Sequence, residues 1–483
     1  MIASFTAPPV QSRALRVPHK ESKVLRSPES GPSPSGVVAL GNRSIDAGWL
    51  RTMLERLSAD DLMSLAARRH PPPLQVGAVL IFDVRGGLDV GSLRAVLQQR
   101  IAAVPRLRQR LEKVPLGCGR PVWVDDPDFD IDDHLTVIEG RSETDDADLL
   151  DLAASLVTKP LSENRPLWTA AFVPVLTDGR AALILVMHHV VGDGLAGLAV
   201  LRGLVDGSPA PRLATFPQAR PSRAALATDA WSDRIRSLRR LPKALGRLFA
   251  AFGELGPSMA QRAQPSSLNK PTGQHRSLST VVVEVSRVHE LAHSHGATVN
   301  DLVLTAVTGA LHELLTERGE QLDSLVVSVP FASRTRTEPD QLGNRSGVIP
   351  VKLPTSGGFS DRLTAVSAIM HAAKQQERGA STAVLGPLFR LLARLGGYQF
   401  FIDHQSFVHT FVSNLRGPDA SINLLGCRVL EVVPLSVATG NITVSFTALS
   451  YDNRLVIAIT SDPKTCPDVN RLCSALRSQL AGC

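Results

Sequence analysis

Ala181-Ala182-Leu183-Ile184-Leu185-Val186-Met187-His188-His189-Val190-Val191-Gly192-Asp193-Gly194, followed by LAGLAVLRGLV (195–205), is the stretch that sets the reading of this chain. An apolar run reads as a strand, a glycine-flanked turn ends it, and helical spacing of apolar residues follows. Two histidines stand at the strand's end, with an aspartate four residues after the second. A chance His-His-x-x-x-Asp-Gly is expected in roughly one chain in a thousand of this size, so the signal is specific. Successive strand side chains point to opposite faces, so one histidine serves a site and the other supports it. A neutral imidazole can take a hydroxyl proton near neutral pH. Gly192 and Gly194 permit a sharp turn and a close approach, and Asp193 is expected to pair with a cation and brace the loop.

Rival chemistries fit these residues less well. Gly192 to Gly197 formally matches GxGxxG after a strand, but Asp193 would set a carboxylate against a pyrophosphate, and no acidic residue follows at about 20 positions. His189 and Asp193 are four apart, yet the glycines oppose a helix and no third metal ligand is evident, so no metal is expected. A pair of satisfied core histidines is the plain alternative. The chain has no GxSxG, and none of Cys118, Cys427, Cys466, Cys473 and Cys483 stands in an activating motif. Direct attack by an acceptor hydroxyl is the simpler expectation.

Working outward, LWTAAFVPVL and AALILVMHH flank the turn signal TDGR (177–180), as in an antiparallel hairpin. QVGAVLIFD (75–83) reads as a further strand and LDVGSLRAVLQQRIAAV (88–104) as a helix. In the second half STVVVEV, SLVVSVP, GVIPVKLP, VHTFVSN, VSFTALS and RLVIAIT read as strands. Helices are expected near 298–317, 360–377 and 464–480. Residues 1–52 hold the Ser/Pro cluster SPESGPSPSG, several basic residues and too few apolar ones for a core; they read as a disordered basic extension, with Met53 a natural beginning. The expected layout is α/β (α+β): a first domain over 53–205, a linker over 206–275 and a second domain over 276–483.

Composition narrows the partners. The 483 residues are 43% hydrophobic and 20% charged, the balance of a soluble protein with a large core, and no apolar run is long enough to span a membrane. Five scattered cysteines without a CxxC suggest neither disulfides nor zinc, and suit a reducing cytoplasm. The net charge is +7, but with only two tyrosines the basic residues are not interleaved with stacking aromatics, so nucleic acid is not expected. An anionic membrane surface or a phosphate-bearing thioester carrier accounts for the charge as well.

At these motifs the chain resembles the bacterial wax ester synthase/diacylglycerol acyltransferase family, within the superfamily of chloramphenicol acetyltransferase and peptide-synthetase condensation domains. Leu57-Ser58-Ala59-Asp60 resembles the family's LSxxD, Pro166-Leu167-Trp168 its PLW, and His188 to Gly194 its HHxxxDG. Thr298-Val299-Asn300-Asp301 resembles its Asn-Asp segment, and Ser413-Asn414-Leu415-Arg416-Gly417-Pro418 its SNVPGP turn. The resemblance covers residues 53–483. It implies two chloramphenicol-acetyltransferase-like domains with a tunnel at their interface and His189 facing it as general base. His188 and Asp193 would complete the catalytic loop. Gly192, Gly194, Trp168, Asn300, Asp301, Ser413 and Asn414 would line the substrates. Acyl-CoA would be a substrate, no cofactor being required, and the acceptor a diacylglycerol or long-chain alcohol. Arg334 and Arg345 are the candidate partners of Asp193 by analogy with that superfamily. Arg416 stands where the family usually has proline, which loosens that turn.

Each minor motif also has a structural reading: Thr298 and Asp301 as a capping box, Trp168 as core, Asn414 and Gly417-Pro418 as turn chemistry. A condensation-type transferase acting on a specialised hydroxyl, or an inactive lipid-binding relative, would keep the same fold. WSDRIRSLRRLPKALGRLFAAF (231–252) reads as a basic amphipathic helix kinked at Pro242, suited to an anionic membrane or to packing on its own domain. LGPLFRLLARLGGYQFF (385–401) is a second apolar candidate. The expected location is cytoplasmic, peripheral to the membrane's inner face or to lipid droplets; the oligomeric state is left open.

Overall fold

The hairpin read from TDGR is present. β5 (Trp168–Leu176) turns through Thr177–Gly179 into β6 (Arg180–His188), with Asp178 at φ 65° and Gly179 at φ 69°. Those left-handed dihedrals twist a two-strand connection to match its strands, and Asp and Gly tolerate them best. The computed structural model describes residues 54–58, 61–66, 72–85, 90–138, 144–208, 216–239, 262–332, 342, 346–376, 392, 395–437 and 439–481. The expected extension over 1–52 lies outside them.

In the first half the chain runs through α1 (Asp61–Ala66), β1 (Gln75–Asp83), α2 (Val90–Ile101), β2 (Gln109–Glu112), β3 (Val122–Asp125), β4 (Leu135–Val137) and α3 (Asp146–Thr158). After β5 and β6 come α4 (Gly194–Leu204) and a helix α5 over 223–239. The second half contains β7 (Ser277–Glu284), α6 (Val285–Ser294), α7 (Val299–Glu317), β8 (Ser324–Ala332), β9 (Ser346–Pro354), α8 (Phe359–Gln376) and α9 (Tyr398–Asp403). It ends with β10 (Thr410–Arg416), β11 (Asn423–Leu424), β12 (Cys427–Ser436), β13 (Val444–Tyr451), β14 (Arg454–Ser461) and α10 (Val469–Ala481). This is the mixed α/β arrangement that the alternating patterns predict.

Two six-stranded sheets form, ordered β11-β12-β1-β6-β5-β4 and β7-β14-β13-β10-β8-β9. β12 comes from the second half of the chain yet pairs antiparallel with β1, Val433 opposite Val79, and so joins the first sheet. The sheets touch along it: Thr460 Oγ1 donates to the Ser436 carbonyl at 3.0 Å. The sequence reading misses this strand because Pro434 interrupts it, and proline argues against an interior strand. The structure accommodates the proline because β11 pairs only with Cys427 and Arg428, leaving the rest of that edge outside the ladder.

β6 lies at the centre of the first sheet, buried from Ala181 to His188. Leu183, Leu185 and Met187 enter a core shared with α2 and α4, while Ala182, Ile184 and Val186 enter one shared with α3. Burial on both faces explains the uninterrupted apolar run. The stretch read as linker also contributes: α5 buries Leu226 against Cys118, Val122 and Val124.

Candidate active site

The two histidines sit where β6 leaves the sheet. The His188 N–H donates to the Leu167 carbonyl at 2.9 Å, and the His189 N–H to that of Leu74 at 3.0 Å, so the dipeptide is pinned on both flanks. His188 is 1% exposed, and its Nδ1 accepts from the Val190 N–H at 3.2 Å. That ring therefore carries its proton on Nε2 and holds the loop's first turn. The Val191 N–H closes the turn onto the His188 carbonyl at 2.9 Å.

Asp193, 4% exposed, is the N-cap of α4, its Oδ1 accepting from the Ala196 N–H at 3.1 Å. Capping adds to the bracing expected of it; Arg334 and Arg345 lie outside the described residues. Asparagine also caps well, whereas alanine costs a cap about 1 kcal/mol. Asp193→Asn should therefore retain more stability than Asp193→Ala in urea titration, and what Asn still loses measures the charge. Equal losses would show that the cap contributes nothing.

Burial drives the His189 imidazole below its ordinary 6.5, while the carboxylates of Asp193 and Asp61 favour its charged form without overcoming burial. His189 is therefore neutral at pH 7, the state a base requires. Because activity needs the neutral ring, the acid-side fall of kcat/KM should be centred below the ordinary 6.5 of histidine. Asp61→Asn should move that fall lower still. A fall centred above 6.5 in a pH–rate profile would mean the carboxylates prevail.

Asp61 is the residue the sequence reading overlooks. It is 4% exposed at the start of α1, and its backbone N–H donates to Ser58 Oγ at 3.0 Å while Ser58 Oγ donates back to its carboxylate at 2.5 Å. The signal was the Ser-x-x-Asp spacing within LSADD, one residue past the quoted Asp60. Asp61 also stabilises the charge of Arg106, which is buried over the Trp123 ring at 4.1 Å and paired with Glu55.

The second half reaches this loop through β10. A Cβ added to Gly194 would lie 2.9 Å from Leu415 Cδ2, so the Leu415 side chain of the SNLRGP strand packs directly over the HHVVGDG turn. Ser413 and Asn414 are half-buried on that strand. Arg416 points outward and pairs with Asp419 at 2.9 Å. Gly417 meets the Ser450 carbonyl so closely that a Cβ would stand 2.4 Å from it.

Trp168 and Asp301 each make structural contacts. Trp168 is 4% exposed, donates Nε1–H to the Leu107 carbonyl at 2.7 Å and stacks on His134 at 4.5 Å. It also borders a cavity of about 610 Å³ with Leu156, Lys159, Leu161 and Arg165; His189 is not among the residues lining it. Asp301 completes a capping box with Thr298 at the start of α7, with half-buried Asn300 beside it.

The structure thus brings a neutral histidine in an HHxxxDG turn at the end of one sheet against a strand of the other. The sequence profile of the wax ester synthase/diacylglycerol acyltransferase catalytic domain matches residues 57–303, and that of the family's C-terminal domain residues 342–482. The chain belongs to this family. A Mycobacterium bovis chain named as a diacylglycerol O-acyltransferase is 28% identical over 91% of this chain and 94% of its own. A Mycobacterium tuberculosis relative, also named as a diacylglycerol O-acyltransferase, is 29% identical over 88% and 89%. Among solved structures, the wax ester synthase/diacylglycerol acyltransferase from Marinobacter aquaeolei VT8 superposes with TM-score 0.64 at 21% identity, covering 88% of this chain and 98% of that one. The first condensation domain of the calcium-dependent antibiotic synthetase, with a substrate analogue, gives 0.60 at 18% identity over 89% and 96%. Both carry the fold expected from the sequence.

Proposed function

We propose that this acyltransferase moves a long-chain acyl group from acyl-CoA to the hydroxyl of a diacylglycerol or long-chain alcohol, releasing triacylglycerol or wax ester and free CoA. The observation that carries the reading is His189: neutral through burial, anchored at the end of β6, in a turn that β10 closes over. The acceptor hydroxyl gives its proton to His189 as its oxygen attacks the thioester carbonyl. Collapse of the tetrahedral adduct breaks the C–S bond, and the imidazolium returns the proton to the CoA thiolate. His188 and Asp193 keep the loop in register. Ser413 and Asn414 face the acceptor side in a tunnel between the two halves. The enzyme works in the cytoplasm, peripheral to a membrane or lipid droplet where its acceptors reside.

The test is purified protein with palmitoyl-CoA and a panel of acceptors, following thiol release and identifying the ester by mass. Release that depends on diacylglycerol or hexadecanol is the expected result. Acceptor-independent hydrolysis, or no release with any acceptor, would overturn the reading.

A further inference from the structure

Four large apolar side chains stand exposed in one neighbourhood of the first half. Trp231, Ile235 and Leu238 are 61%, 48% and 66% exposed, and Leu116 is fully so. Trp231, Ile235 and Leu238 recur at four- and three-residue spacing on α5 and so share one helix face. The opposite face is fastened. Leu226 and Ala230 are buried, and Arg56 binds Asp229 at 2.6 Å, the Leu226 carbonyl at 2.9 Å and the Cys118 carbonyl at 2.9 Å. The exposed stripe is thus held out by a helix that is itself well packed.

Leu116 belongs to the same surface. Arg234 reaches from α5 to the Gly117 carbonyl at 3.0 Å while its guanidinium stacks over the Trp231 ring at 5.2 Å. The charge around the stripe is basic. Arg234 and Arg239 flank it, whereas the acids of α5, Asp229 and Asp233, are held by Arg56 and Arg236. Scattered exposed apolar residues are ordinary, but four converging inside a basic rim mark an interaction surface. No helix among the described residues is long and apolar enough to cross a membrane.

We infer that Leu116, Trp231, Ile235 and Leu238 form a docking surface for an anionic lipid interface, with Arg234 and Arg239 meeting the headgroups. A tryptophan beside arginines suits the boundary between hydrocarbon and headgroup. The inference rests on the reading that the acceptor is a lipid, and it names the face by which the enzyme reaches it. It also shifts weight within the sequence expectation. Arg236 is half-buried and paired with Asp233, so it is not a principal headgroup contact, while Leu116 joins from a turn far away in sequence.

The test is co-sedimentation of the full chain with phosphatidylcholine vesicles containing phosphatidylglycerol. Leu116→Asp and Ile235→Asp should each lower partitioning about tenfold, and Arg234→Glu with Arg239→Glu should abolish the preference for phosphatidylglycerol. Esterification of a short, water-soluble alcohol should be unchanged in every variant. Partitioning of the Leu116→Asp/Ile235→Asp protein within twofold of the unaltered chain would overturn the inference. So would a dimer in sedimentation velocity that the same substitutions dissociate, since the face would then seat a second copy. Absence of esterification by the unaltered chain would defeat the proposed function instead, while vesicle binding would be read independently.

Discussion

His189→Ala is expected to lower turnover by roughly 10²- to 10⁴-fold, the range that loss of a positioned general base produces. The fold should survive. The hydrogen bond from the His189 backbone N–H to the Leu74 carbonyl does not involve the side chain and remains when the ring is removed. His188→Ala should behave differently. It removes the ring that accepts the Val190 N–H in a fully packed position, so stability should fall with activity. Comparing single-turnover rates with urea midpoints for the two proteins separates the roles. A folded His189→Ala enzyme with near-normal turnover would remove the base from the mechanism.

Gly77→Ala should destabilise the protein by about 3 kcal/mol, the upper end of ordinary small-to-large costs. Gly77 sits in β1 opposite Val186, two residues from the Gln75–His188 pair. A Cβ there would lie 2.1 Å from the Leu185 carbonyl oxygen. The obstructing atom is backbone, so no rotamer change relieves the clash, and β1 must separate from β6. The entropy gained by removing a glycine from the unfolded chain is only about 0.4–1 kcal/mol and cannot compensate. The same separation would displace the His188-His189 exit, so activity should drop alongside stability. An unchanged urea midpoint would mean that the two strands approach less closely than described.

How much of this was legible in the sequence varied by element, for physical reasons. β6 was plain because a central strand buried on both faces has no polar interruptions, and the Asp178-Gly179 turn before it demands residues tolerant of positive φ. α7 was plain because its capping box and long apolar run agree. β12 was hidden by Pro434, and no local pattern could place a second-half strand beside β1. α5 was read from Trp231 onward, but it starts at residue 223, because the small and polar residues of its first turns look like linker. In the site, HHVVGDG announced itself, whereas Asp61 became visible only through its effect on His189 from more than a hundred residues away. Trp168 and Asp301 were legible as a core residue and a helix cap from their surrounding pattern, and the structure shows those contacts.

Direct transfer of an acyl group to a lipid hydroxyl at His189 is tested most directly by acid-quenching the enzyme with radiolabelled palmitoyl-CoA, with and without dioleoylglycerol. The account predicts label in triacylglycerol, matched by CoA released, only when the acceptor is present, no label on the protein, and loss of the product in His189→Ala. Label retained covalently on the protein without acceptor, or triacylglycerol formed undiminished by His189→Ala, would contradict it.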